Sequence, residues 1–310
     1  MIYRNLLSRN RLKALFTLMV YGGALMGSLA ASAGTAVETA FGPVTISAHP
    51  ERVVTLSDNS LDAALALGVK PVGALASRGG SDIPDYLKAA SGNLPLVGSV
   101  RAINLEAILA TRPDLILAGP DVTRDQYAKL SLIAPTVVPK GNVMSDWRVS
   151  LRLYAQALGK TGEAEERLAQ VEQRIDTLRT RLPKGLSISV LRWNPQGPVM
   201  MSSHLFAGQL LEELGTSANA LAAEQVARPH TDTLSLENLG KADGDWIFLA
   251  TLNNDGQRAL AEARQQPAFT RLKASQANHL ASVDGQIWSS SSGYLAAQQV
   301  LDDVEKALAK

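Results

Sequence analysis

Several arginines and two tryptophans stand beside short apolar runs, where a chain leaving a β-strand would line a cleft. Arg78 follows "VGALAS" and Arg101 follows "LPLVGSV". Arg192 and Trp193 end the run "ISVL", Arg228 and His230 precede "TDTLSLENL", and Trp288 follows "ASVDGQI". Guanidinium groups offer fixed, bidentate donors to carboxylate-like oxygens, and indoles supply flat apolar area. One such residue alone is ordinarily a solvated loop cation or a half-buried aromatic. Five such places at strand ends suit an anionic ligand with flat apolar parts.

Catalytic and metal chemistry finds less support. The chain has no cysteine, which removes thiol nucleophiles and cysteine-ligated zinc. Neither the GxSxG elbow nor the GxGxxG fingerprint occurs. Gly159-Lys160-Thr161 resembles the end of a P-loop, but Tyr154 stands where the leading glycine belongs, and the segment lies between helices. His49, His204, His230 and His279 are dispersed and form no close pair. No catalytic residue, resident metal or cofactor is expected.

The elements that must position the arginines alternate. "RVVTL" reads as a short strand, "SLDAALALG" as a helix closed by Gly68, and "KPVGAL" as the next strand. "NLEAILAT" is a helix stopped at Pro113, and "DLILAG" a strand apolar on both faces. Such alternation predicts a parallel sheet flanked by helices. From Trp147 to Leu182 the chain turns helical. Leu168, Val171, Ile175, Leu178 and Leu182 give a long charged helix one apolar face. It could lie on one domain or join two. Strand and helix then alternate again through "LSISVLRW", "LFAGQLLEELG", "SLENLGKA" and "DWIFLA".

The second half thus repeats the order of the first. "INLEAILATRPDLILAG" and "LSLENLGKADGDWIFLA" align without a gap and match Leu105, Glu106 and Asp114 to Leu236, Glu237 and Asp245. The prediction is an α/β fold of two similar lobes, with parallel-rich sheets flanked by helices, joined by one long helix, and a ligand cleft between the lobes. The boundaries are a signal peptide over 1–33, an N-terminal lobe over 34–158, the long helix over 159–183 and a C-terminal lobe over 184–310.

The start carries Arg4, Arg9, Arg11 and Lys13, then the apolar stretch "ALFTLMVYGGALMGSLA", then "ASA" at 31–33. This reads as a cleavable secretory signal. Its removal takes four positive charges from the net +1 and leaves −3, a poor balance for binding nucleic acid. With no cysteine to carry a lipid, the exported protein is expected to be free in a periplasm rather than anchored, and to act as a monomer.

The stretches "RVVTLSDNSLDAALALGVKPVGAL", "VGSVRAINLEAILATRPDLILAG" and "HLASVDGQIWSSSSGYLAAQQV", with the charged helix between them, resemble the periplasmic substrate-binding proteins of iron-siderophore and cobalamin importers. The likeness is nearest to the ferric citrate and ferric hydroxamate binders. The resemblance implies modest hinge motion, capture of a ferric siderophore in the cleft, and delivery to a membrane permease driven by a cytoplasmic ATPase. It also implies that iron arrives within its chelator, so that the protein needs no cofactor of its own. Arg101 matches the family's Val-Gly-x-x-Arg arginine. Arg78, Arg192 and Arg228 would contact the chelate's oxygens, Trp193 and Trp288 would pack on its body, and His230 and Tyr294 would join them. Glu106 and Glu237 would dock on the permease, one per lobe. The chain departs from the pattern at Asp58, often aromatic in hydroxamate binders, and at Ser289 to Ser292, where the ferric citrate type carries arginine after the tryptophan. The same fold would also accept haem or a corrinoid, and a siderophore-processing enzyme is a further alternative.

Overall fold

The computed structural model describes residues 34–308, which form one compact unit. The predicted signal peptide lies outside the described residues. Among the described residues, no helix is long and apolar enough to cross a membrane. A hairpin of β1 (Thr35–Thr39) and β2 (Gly42–Ile46) opens the chain. The first lobe is built on β3 (Val53–Leu56), β4 (Gly73–Ala76), β5 (Leu96–Ser99), β6 (Ala102–Ile103), β7 (Leu115–Ala118) and β8 (Thr136–Val137). Their order in the sheet is β6-β5-β4-β3-β7-β8, parallel except for the edge strand β6.

The second lobe uses β9 (Ser187–Asn194), β10 (Gly197–Met200), β11 (Ser217–Ala218), β12 (Trp246–Thr251) and β13 (Leu280–Asp284). Here β11, β9, β12 and β13 run parallel in that order, and β10 pairs antiparallel with the far end of β9. The order β4-β3-β7-β8 of the first lobe is therefore repeated as β11-β9-β12-β13. The sequence echo is a repeat of topology.

The repeated aspartate has a job in both halves. Asp114 accepts hydrogen bonds from the backbone N–H groups of Glu51 and Arg52 at 2.8 and 2.9 Å, just before β3. Asp245 accepts from the N–H and hydroxyl of Ser187, the first residue of β9, at 2.9 and 3.0 Å. Each carboxylate clasps the start of the central strand to the strand beside it. The paired helices differ. Leu105–Ala110 is an α-helix, whereas Leu236–Ala242 is a 3-10 helix. "LEAILA" holds strong helix formers, while Asn238 and Gly240 weaken the second copy, glycine by roughly 1 kcal/mol. The segment "PAFTRLKAS" forms two short helices, because Asp243 accepts the N–H groups of Lys273 and Ala274 and starts a new helix there.

The long helix spans Thr161–Arg181. Its buried face of Ala164, Leu168, Val171, Ile175 and Leu178 belongs to one apolar cluster that also holds Leu115 and Leu117 of the first lobe and Ile188, Phe248 and Ala250 of the second. It is a strut with a face in both lobes. The final helix, Tyr294–Leu308, ties them again. Asp62 of the first lobe, fully buried, accepts from the N–H groups of Leu295 and Ala296 at 3.0 and 2.9 Å and from the Tyr86 hydroxyl at 3.2 Å. It caps a helix that belongs to the other half of the chain. Burial pushes the Asp62 carboxyl up to about 7 against the pull of these hydrogen bonds. The boundary set at 184 thus does not separate two independent bodies.

Gly293 makes that cap possible. Its φ is +143°, and a Cβ there would sit 2.4 Å from the Asp62 carboxyl group. We expect Gly293→Ala to cost about 2–4 kcal/mol in chemical denaturation, from overpacking together with backbone strain. The Asp245 clasp has a pH signature. Lys273 and the Ser187 bonds hold Asp245 down at about 2. A depressed folded-state pKa gives stability that is present above the ordinary carboxylate value and lost as pH falls from about 4 to about 2. Asp245→Asn should remove this acid-side loss, read from thermal melts across that range.

Candidate functional site

The C-terminal ends of the parallel strands in the two lobes meet at one junction. The loop after β4 carries Arg78 and touches the second lobe. The Arg78 carbonyl accepts from the Gln286 side-chain amide at 2.7 Å, and Gly79 packs against Leu252. Arg192 arrives from β9 of the other lobe. Burial, and then the nearby charge of Arg78, lower its pKa, so the two cations oppose each other across the lobe boundary. Among the described residues neither forms an ion pair, and the buried Arg192 Nε has no hydrogen-bond partner. Ser290 holds a buried hydroxyl without a partner, the Gln286 carbonyl oxygen is also unpaired, and the buried Ser291 hydroxyl faces Asp58.

Asp58, the first residue of the helix Asp58–Ala66, faces the same junction and is 7% exposed. Its carboxyl is pushed up to about 7 by burial, with Ser291 and the charge of Arg78 pulling the other way. Arg101 stands exposed in the turn between β5 and β6, also without an ion pair among the described residues. A cavity of about 760 Å³ opens between the lobes beside this cluster. Ser77, Gly80 and Asp82 line it from the first lobe, and Thr251, Asn254 and Gln286 from the second. The three arginines are not in its wall, although Arg78 sits between two residues that are. The volume falls within the range of small-molecule sites. Its wall mixes amides and hydroxyls with the acids Asp82, Asp85 and Asp284 and the cations Lys88 and Arg264.

Other expected contacts lie elsewhere. Successive residues of a strand point to opposite faces, so Arg192 and Trp193 cannot both face the junction. Trp193 points into the core of the second lobe, 2% exposed, with its ring edge-on to Phe269 at 5.8 Å. Trp288 is 1% exposed, stacks on Phe248 at 4.4 Å and donates its indole N–H to Asp303 at 2.8 Å. Both indoles serve packing, and neither offers a face to a ligand. Tyr294 donates to Gln170 of the long helix at 2.7 Å and carries Arg167 over its ring, which fastens the final helix to the strut. Arg228 is exposed and spent on Asp232 at 2.6 Å. His230 bridges to Met201 and places its Nδ1 2.7 Å from the Thr231 carbonyl.

Glu106 and Glu237 are exposed, each in the first turn of its helix behind an equivalent cap, Asn104 or Ser235. Sequence reasoning missed the cavity segments Ser77–Lys88 and Asn253–Arg264. The signal available was that each follows a strand. Among the described residues no group of three or more histidine, aspartate or glutamate side chains could hold a metal ion.

The family model described as periplasmic binding protein matches residues 53–287. A "probable siderophore-binding lipoprotein", YfiY of Bacillus subtilis, is 30% identical over 270 residues, which covers 84% of this chain and 83% of that protein. The Fe(3+) dicitrate-binding periplasmic protein FecB of Escherichia coli is 27% identical over 293 residues, 94% of this chain and 95% of that one. Among solved structures, Staphylococcus aureus SirA complexed with staphyloferrin B superposes with a TM-score of 0.76 at 28% identity, covering 88% of this chain and 98% of that one. The match spans both lobes and the strut between them, and the chain belongs to the periplasmic binding protein family.

Proposed function

We propose that this protein is the cargo-capturing component of an ABC importer that takes up a ferric siderophore, of the carboxylate or hydroxamate kind. One observation carries the reading. Arg78 and Arg192, from different lobes, are held near each other, and neither makes an ion pair among the described residues. Protein cations kept together and partly dehydrated are stabilised by an anion that fits between them. The neighbouring orphan donor of Ser290 suits a further oxygen. A chelate rich in carboxylate or hydroxamate oxygens has this chemistry, and its body would extend into the adjoining cavity. The ferric dicitrate and staphyloferrin B relatives support an oxygen-rich anionic cargo. Arg101, exposed in the turn between β5 and β6, is the third contact.

The protein acts as a receptor and not an enzyme, works as a monomer, and reaches the periplasm through a cleaved signal over 1–33 without a lipid anchor. Iron comes and goes within its chelator. Glu106 and Glu237, one exposed acid on each lobe, meet basic sockets on the permease.

Arg192→Ala should weaken binding by about 10- to 100-fold, the worth of one or two hydrogen bonds to a charged group, without loss of cooperative unfolding. The measurement is a fluorescence titration against ferric citrate, a ferric hydroxamate, a ferric catecholate, haem and cobalamin. Unchanged affinity for whichever ligand binds would remove Arg192 from the site, and preference for haem or cobalamin would overturn the cargo. Charge reversal at both Glu106 and Glu237 should leave that affinity intact and reduce uptake in cells to background. Normal uptake by the double variant would exclude docking through this pair.

A further inference from the structure

We infer that Asp58 is the proton-binding group of the cleft, and that capture of an anionic cargo is coupled to uptake of one proton on its carboxyl group. The inference rests on the reading of the Arg78–Arg192 junction as an anion site and adds to it a residue with a distinct task. Three features of the geometry lead there.

First, Asp58 sits at the lobe junction beside one of the two arginines. It neighbours Arg78 of its own lobe and Ser291 of the other. Second, it is almost wholly removed from water yet joins no ion pair among the described residues. A buried carboxylate left in that state is unfavourable, and the group gains by binding a proton. Third, it has buried titratable neighbours. Asp62 lies one helical turn away on the same face, itself buried, and the buried Tyr86 phenol faces both acids. The charged and titratable groups around Asp58 are therefore Arg78, Asp62 and Tyr86, with Arg192 behind Arg78. Among the described residues Arg78 is the one cation that acts on it.

In the empty cleft Arg78 partly stabilises the ionised form, and burial pushes Asp58 up to about 7. An arriving anion takes Arg78 for itself and brings a second negative charge beside the carboxylate. Both changes favour the protonated acid. As a neutral acid Asp58 becomes a donor, and its O–H can point at a cargo oxygen where a carboxylate could only repel it. The proton comes from solvent and returns to it when the cargo leaves. The sign follows from linkage. The bound state holds more protons than the free state above the free pKa, so affinity falls as pH rises past about 7, by up to about tenfold per pH unit. Below it, affinity levels off.

The test has two arms. In the ligand-free protein, carboxyl-carbon NMR with Asp58 assigned from the Asp58→Asn spectrum should show this group titrating near neutrality, and addition of citrate should move its midpoint upward. Titration in the ordinary carboxylate range would overturn the inference whether or not any cargo has been found. In the second arm, affinity for ferric citrate is measured from pH 6 to 9 in the natural protein and in Asp58→Asn. The natural protein should lose affinity with rising pH more steeply than the variant, and the difference cancels the titration of the chelate itself. Parallel slopes would overturn the coupling. Binding of neither citrate form would count against the anion-site reading, while the first arm still decides the state of Asp58.

Discussion

The cleft depends on an apolar core that ignores the lobe boundary. Leu168, Val171, Ile175 and Leu178 of the strut pack into a cluster shared by the central strands of both lobes. Fully burying each such side chain is worth roughly 1.5–3 kcal/mol. Two like charges 4 Å apart near a protein surface repel by roughly 1–4 kcal/mol. The core therefore outweighs the repulsion between Arg78 and Arg192, and it can hold two cations in an arrangement that they would not choose. The Asp62 cap on the final helix fixes the same geometry from a second direction, since its acid and its helix come from opposite ends of the chain.

This frame was largely legible in the sequence because it rests on local patterns. The buried runs "DLILAG" and "DWIFLA" could only be inner strands, and the repeated Leu-Glu and aspartate positions mark equivalent places in two sheets. The spacing of Leu168, Val171, Ile175 and Leu178 gave a buried face but not its partners. Whether the helix lay on one lobe or joined two depended on contacts with strands on both sides of it in the chain, most of them far away in sequence. The edge strands were harder. β10 is antiparallel and crosses the far end of β9, where no periodicity distinguishes it from a loop.

The site was legible in part, for a reason that strand geometry makes plain. Position near a strand end says that a residue is close to the cleft. It does not say which face the side chain takes. Arg192 and Trp193 are neighbours in sequence and opposites in space, with the tryptophan committed to the core that Phe269 and Leu191 build. The alternation of Leu191 and Trp193 with Val190 and Arg192 carried that information. Trp288 and Tyr294 were misplaced for a different cause. Asp303 and Gln170 satisfy their polar ends, and neither partner is near in sequence to the strand that suggested a cleft position.

A core continuous through both lobes also bears on how an occupied protein could differ from an empty one. Wide opening would pull apart the side chains that join the halves and would leave the first N–H groups of the final helix without Asp62. Such exposure is expensive, so the economical changes are those confined to the mouth of the cleft. There the largest available change is electrostatic. The empty junction holds two unpaired guanidinium groups beside a buried acid. An anion placed among them would discharge the repulsion. The loop after β4 that carries Arg78 is also the one through which the lobes touch, at Arg78 with Gln286 and at Gly79 with Leu252. A change of charge at that contact acts directly on the relation between the lobes.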